Sequence, residues 1–107
     1  MEQEDVTFGI DVREGPEGTV VTPRGELDMA TAGELRDALD AVDGPLTLDL
    51  SALRFVDTSG LRLVLEVTDQ ARRAGRAFAV VPGIPAVQRL FEVAGVTELV
   101  PFTEGPS

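Results

Sequence analysis

At 107 residues, with 43% hydrophobic residues and a formal net charge of −10, the chain has the length and apolar content of one domain with a single core. It contains no cysteine, histidine, lysine, tryptophan or tyrosine. Those absences exclude a disulfide framework, cysteine-ligated zinc and thiol catalysis, and neither a Ser-His-Asp nor a Cys-His mechanism can be assembled within the chain.

The charge is unevenly spread. Residues 1–50 carry 13 acids against 3 arginines, whereas residues 51–107 carry 6 of each. An acidic half repels phosphates, so nucleic acid is not an expected partner. It suits docking to a basic protein surface, although solubility alone also accounts for it. No apolar run reaches the length of a membrane span, and the acidic start Met1-Glu2-Gln3-Glu4-Asp5 does not read as a signal peptide. A soluble cytoplasmic protein without membrane association is expected. Without lysine, a P-loop and the lysine-dependent chemistry of an aspartate-phosphorylated receiver are excluded. The expectation is a binding protein with no catalytic residues and no cofactor.

Val6, Phe8, Ile10 and Val12 alternate with more polar residues and predict a half-buried strand. Glu14-Gly15-Pro16-Glu17-Gly18 is a turn, and Thr19-Val20-Val21-Thr22 begins a second strand that pairs with the first as a hairpin. Pro23 cannot donate to a ladder, which implies a bulge or an unpaired position there. Gly25-Glu26-Leu27-Asp28 is read as the loop into a helix. Thr31 with Glu34 three residues on fits a capping box, and Leu35, Ala38, Leu39 and Val42 form its apolar stripe. Asp43-Gly44-Pro45 ends that helix, with Gly44 placed for a left-handed cap.

Leu46, Leu48 and Leu50 recur at the period of two and predict a buried strand. A short turn leads to a second helix, from near Ser59 to about Arg73, with Gly75 beyond its end. Its apolar residues Leu61, Leu63, Val64, Leu65 and Val67 cover more than one stripe, so it should pack on two sides. Ala77-Phe78-Ala79-Val80-Val81 is a short buried strand. The third helix has Pro85 at its start and Gly95 past its end, with Val87, Leu90, Phe91 and Ala94 facing the core. Leu99-Val100-Pro101-Phe102 is read as a last edge strand, and the ordered core as residues 6–102 with frayed ends.

Strands alternating with helices imply an α/β domain: a mixed, mostly parallel sheet with an N-terminal hairpin and helices packed on it. In such sheets, partners use the loops at the carboxyl ends of the strands. Asp28, Asp57 and Ser59 would share that rim if their strands are parallel neighbours. Ser59 stands at a helix N-terminus, where unpaired N–H groups and the helix dipole favour negative charge. Local capping explains the same residues differently: Asp57 or Thr58 as N-cap, Ser59 as a first-turn serine, Gly60 as a packing glycine. The serine lacks the preceding glycine of a nucleophile elbow. Two carboxylates with no third ligand do not make a metal site.

Gly25-Glu26-Leu27-Asp28, Asp49-Leu50-Ser51, Phe55-Val56-Asp57-Thr58-Ser59-Gly60-Leu61 and Val87-Gln88-Arg89-Leu90-Phe91, in that order, resemble the bacterial anti-sigma factor antagonists, which are stand-alone STAS domains. The resemblance covers about residues 6–102. It implies that Ser59 is phosphorylated by an anti-sigma factor that is also a serine kinase. The unphosphorylated form would bind that kinase, and a PP2C-type phosphatase would reset the switch. Asp28, Asp57, Thr58 and Gly60 would contact the partner. Thr58 stands where the family often has a second serine, and Gln88 where it commonly has lysine. A STAS component of another assembly, such as a stressosome scaffold or a lipid-transport ATPase complex, is the rival reading. A small phosphate-ligand-binding enzyme is a further one.

Overall fold

The computed structural model describes residues 7–103. The strand residue Val6 and the frayed ends expected at either terminus lie outside the described residues. Strand β1 (Gly9–Gly15) pairs antiparallel with β2 (Gly18–Leu27), as the alternating residues and the Gly-Pro turn require. Helix α1 (Ala32–Asp40) then leads to β3 (Leu46–Asp49), β4 (Leu53–Val56), α2 (Thr58–Ala74), β5 (Phe78–Val81) and α3 (Pro85–Ala94). The result is an α/β domain with a mixed five-stranded sheet, as expected.

Strand β2 organises the sheet. Beyond the hairpin, its first half pairs in parallel with β3 over Thr19–Val21, and its last residues pair in parallel with β4 over Gly25–Leu27. β3 and β4 are therefore successive lengths of chain along the same edge of β2, interrupted at Leu50–Ala52. The break is held by two bonds: Asp49 Oδ1 accepts from Ser51 N at 2.9 Å, and Leu53 N donates to the Leu50 carbonyl at 3.1 Å. Pro23 falls in the gap between the two partner strands, so on that side its missing N–H costs no ladder bond. The bulge lies instead at Gly25–Glu26, where Gly25 takes a φ of +97°.

Five expectations are corrected. Gly25–Leu27 is strand, and only Asp28 of that tetrapeptide enters the loop. The chain from Leu53 to Val56 is a fifth strand rather than a turn. No capping box forms at α1: Thr31 makes no side-chain cap bond to the helix, and its hydroxyl donates back to the Glu26 carbonyl at 2.9 Å. The helix closes at Ala41 in an ordinary right-handed conformation, and Gly44, with φ +83°, serves the following turn. In place of the last edge strand there is a 3-10 turn at Thr97–Leu99 and a single bridge from Phe102 to Val80. Pro101 explains the shortfall, since it carries no N–H.

The core is built from Val21 and Leu27 of β2, Leu46 and Leu48 of β3, Leu53 and Val56 of β4, Val80 of β5, and the inward stripes of the helices. Leu35 and Leu39 of α1 are buried, while Ala38 and Val42 are half-buried. Helix α2 buries Leu61, Leu63, Val64 and Val67 and touches both α1 and β4, the two-sided packing its wide apolar surface called for. On α3, Val87 and Phe91 are buried, Leu90 is half-buried and Ala94 is exposed. The Phe91 and Phe102 rings meet edge-to-face at 5.2 Å, which fastens the C-terminal segment to α3.

Candidate functional site

The β2–β4 pairing sets the site. Leu27 and Val56 are register partners in parallel strands, so the residues that follow them, Asp28 and Asp57, leave the sheet side by side. Asp57 N donates to the Leu27 carbonyl at 3.0 Å, which extends the ladder to the rim itself. The strand that brings the two acids together is the one not legible as a strand in the sequence.

Asp57 is the N-cap of α2. Its backbone is extended, and its Oδ1 accepts from Ser59 N at 2.8 Å and Gly60 N at 3.2 Å, satisfying two of the helix's orphan donors. This settles the local alternatives in favour of Asp57 over Thr58 as cap. Thr58 is the first helical residue and is exposed; Ser59 is half-buried and Gly60 fully buried. Gly60 needs no unusual φ. It is a close-approach glycine, because an added Cβ would stand 2.8 Å from Leu27 Cγ and 2.8 Å from Val56 Cγ1. The start of α2 therefore rests directly on the ends of β2 and β4.

Asp28 is more constrained than a solvated loop acid. Its Oδ1 accepts from Ala30 N at 3.0 Å and Thr31 N at 3.2 Å, and its own N donates to Thr31 Oγ1 at 2.9 Å. The loop is thus a closed Asp28–Thr31 turn that displays Met29, whose side chain is 78% exposed. Met29 was not singled out from the sequence, where a methionine beside a helix start reads as core; exposure in the folded loop is its only signal.

Ser59 Oγ makes no hydrogen bond to another described residue. Ser59 lines a groove of about 160 Å³ between α1 and α2, which Arg36, Arg62 and Glu66 also line. Arg36 is paired with Glu66 across the two helices. Among the described residues no cluster of three or more metal-ligating side chains occurs, and no helix is long and apolar enough to cross a membrane.

Gln88 also has a role the sequence did not show. Its Oε1 accepts from Gly83 N at 2.8 Å, closing the turn between β5 and α3. Lysine, an obligate donor, could not make that bond.

Residues 10–101 match the family model described as Mlab, STAS domain. The chain belongs to the STAS domain family. Among solved structures it is similar to an anti-sigma factor antagonist from Mycobacterium paratuberculosis, 28% identical with a TM-score of 0.78, over 99% of this chain and 92% of that one. It is also similar to the anti-sigma factor antagonist SpoIIAA in its unphosphorylated form, at 18% identity and a TM-score of 0.72, over 89% and 88% of the two chains. The phosphorylated form of the Bacillus cell fate determinant SpoIIAA matches at 19% identity and a TM-score of 0.65, over 91% of each chain. At those last two identities the likeness is one of fold. This STAS domain thus has the family and architecture its motifs led us to expect.

Proposed function

We propose that this STAS domain is an anti-sigma factor antagonist acting in the cytoplasm, and that it is switched through Ser59. In the unphosphorylated state the rim formed by Asp28, Met29, Asp57, Thr58 and the start of α2 around Gly60 docks on an anti-sigma factor that is also a serine kinase. Bound there, the anti-sigma factor cannot hold its sigma factor. The kinase transfers the γ-phosphoryl group of ATP to Ser59 Oγ: the Oγ–P bond forms, the bond to the β-phosphate oxygen breaks, ADP leaves, and the hydroxyl proton passes to a base of the kinase. A PP2C-type phosphatase hydrolyses the phosphoserine and resets the protein, which itself catalyses nothing.

One observation carries this reading. Ser59 is half-buried and lines a groove, its Oγ makes no hydrogen bond to another described residue, and it stands two residues beyond an N-cap aspartate whose strand pairs beside the one leading to a second ordered acid. A phosphate there adds about −1.5 to −2 charges at a helix end that tolerates anions, so the fold survives while the docking surface changes. That SpoIIAA has phosphorylated and unphosphorylated forms on the same fold supports the reading. The test is co-purification from the host with phosphopeptide mapping of residues 55–62, together with binding to the captured kinase. Ser59→Ala should bind, and Ser59→Asp should stay folded and bind at least about tenfold more weakly. A Ser59→Asp protein that is folded and binds as tightly as wild type refutes the switch.

A second reading is a STAS component of another assembly, such as a lipid-transport ATPase complex, because the matched family model is described as Mlab, STAS domain and not as an anti-sigma factor antagonist. Recovery of a transporter ATPase in place of a kinase in the same co-purification would establish it.

A further inference from the structure

We propose that a phosphate on Ser59 is captured by Arg62 and Arg36 in the groove between α1 and α2; this rests on the reading of Ser59 as the phosphoacceptor. Ser59 and Arg62 are three residues apart on one helix, and residues so spaced are neighbours on its surface. Arg36 reaches the same groove from α1. The two cations differ in their present engagement. Arg36 holds Glu66, and both members of that pair are substantially exposed. Arg62 makes no ion pair or hydrogen bond to another described residue, although the chain as a whole carries ten more negative than positive charges. An unpaired cation three residues beyond the acceptor serine is the group that a phosphate would recruit first.

The phosphate then competes with Glu66 for Arg36. It offers three acceptor oxygens and nearly twice the charge of the carboxylate, and guanidinium binds phosphate in a bidentate fork. Capture would exchange a carboxylate partner for a phosphate one across the α1–α2 seam, drawing the phosphate away from Asp57 and over the groove. The switched surface therefore includes the first turn of α1 and not only the rim. Phosphate at Thr58 has no such outlet, because the exposed Thr58 does not line the groove.

The capture is testable without any kinase, on full-length protein carrying phosphoserine placed at position 59 by amber suppression. A ³¹P NMR titration reads the second phosphate ionisation, ordinarily near pH 6. In the wild-type background that ionisation should lie about half a unit to one unit lower than in an R36Q/R62Q background, with R62Q alone intermediate. The helix end contributes equally in each protein and cancels from the comparison. Phosphoserine at position 58 should show a difference of less than about 0.2 units between the same backgrounds. Equal ionisation of phosphoserine 59 with and without the arginines overturns the capture, as does an equal response at position 58. Should R36Q/R62Q not fold, R62Q against wild type decides by the same criterion. Phosphopeptide mapping in the host tests the switch separately. An uncaptured phosphate in a protein that is phosphorylated in the host refutes the capture alone, and a captured phosphate in a protein never so modified refutes the switch alone.

Discussion

Gly60→Ala sets two effects of known sign against each other. In a helix interior alanine is favoured over glycine by about 1 kcal/mol, and Gly60 already has helical geometry, so propensity alone predicts stabilisation. Packing predicts the reverse. The new methyl would lie 2.8 Å from both Leu27 Cγ and Val56 Cγ1 and 2.9 Å from Leu27 Cδ2, more than half an ångström inside ordinary contact. Leu27 is fully buried, Val56 is 6% exposed, and the atoms met first are a branch carbon and a stiff β-branched methyl. Neither can rotate away into space, so the first turn of α2 must lift off the strand ends. Overpacking of this kind costs about 1–3 kcal/mol, and a clash with two rigid neighbours belongs in the upper half of that range. The net expectation is a loss of about 1–2 kcal/mol, read as a fall in the urea midpoint on the order of 1 M. Val56→Ala removes one wall of the clash, so G60A/V56A should be less destabilised than the two single variants together, by about 0.5 kcal/mol or more. A G60A protein at least as stable as wild type, or strict additivity in the cycle, would refute the packing argument.

Asp57→Ala deletes the acceptor for Ser59 N and Gly60 N and should cost about 1 kcal/mol, whereas Asp57→Asn, which keeps a cap oxygen, should cost less than half of that; urea melts of both variants check the order. Gly75 closes α2 at φ +66° with open space around its Cα, so Gly75→Ala should cost about 1 kcal/mol through backbone strain alone and lower the melting temperature by several degrees.

The helices, and the ends of α2 and α3, were legible because their signals are local. Asp57-Thr58-Ser59-Gly60 places the start of α2, Gly75 its left-handed end, and Pro85 and Gly95 bracket α3; each acts through the backbone within a few residues. The capping box failed for an equally local reason. Asp28, three residues before Thr31, takes the Thr31 N–H, and the Thr31 hydroxyl turns back to Glu26. Strand β4 was not legible at all. Leu53-Arg54-Phe55-Val56 is buried only at its two ends and shows no alternation, because its status as a strand comes from the last three residues of β2, some thirty positions away in the chain.

The residue pattern by itself determined that this is an α/β domain with no cysteine, histidine or lysine, and it marked Asp28, Asp57 and Ser59 as residues at loop and helix ends. Only the tertiary structure decided that the two acids leave neighbouring strands side by side, that Gly60 lets α2 seat on Leu27 and Val56, and that Arg36 comes across from another helix to the groove beside Ser59. Periodicity and capping are written into neighbouring residues. Juxtaposition is made by strand pairing between distant ones, and no single segment encodes it.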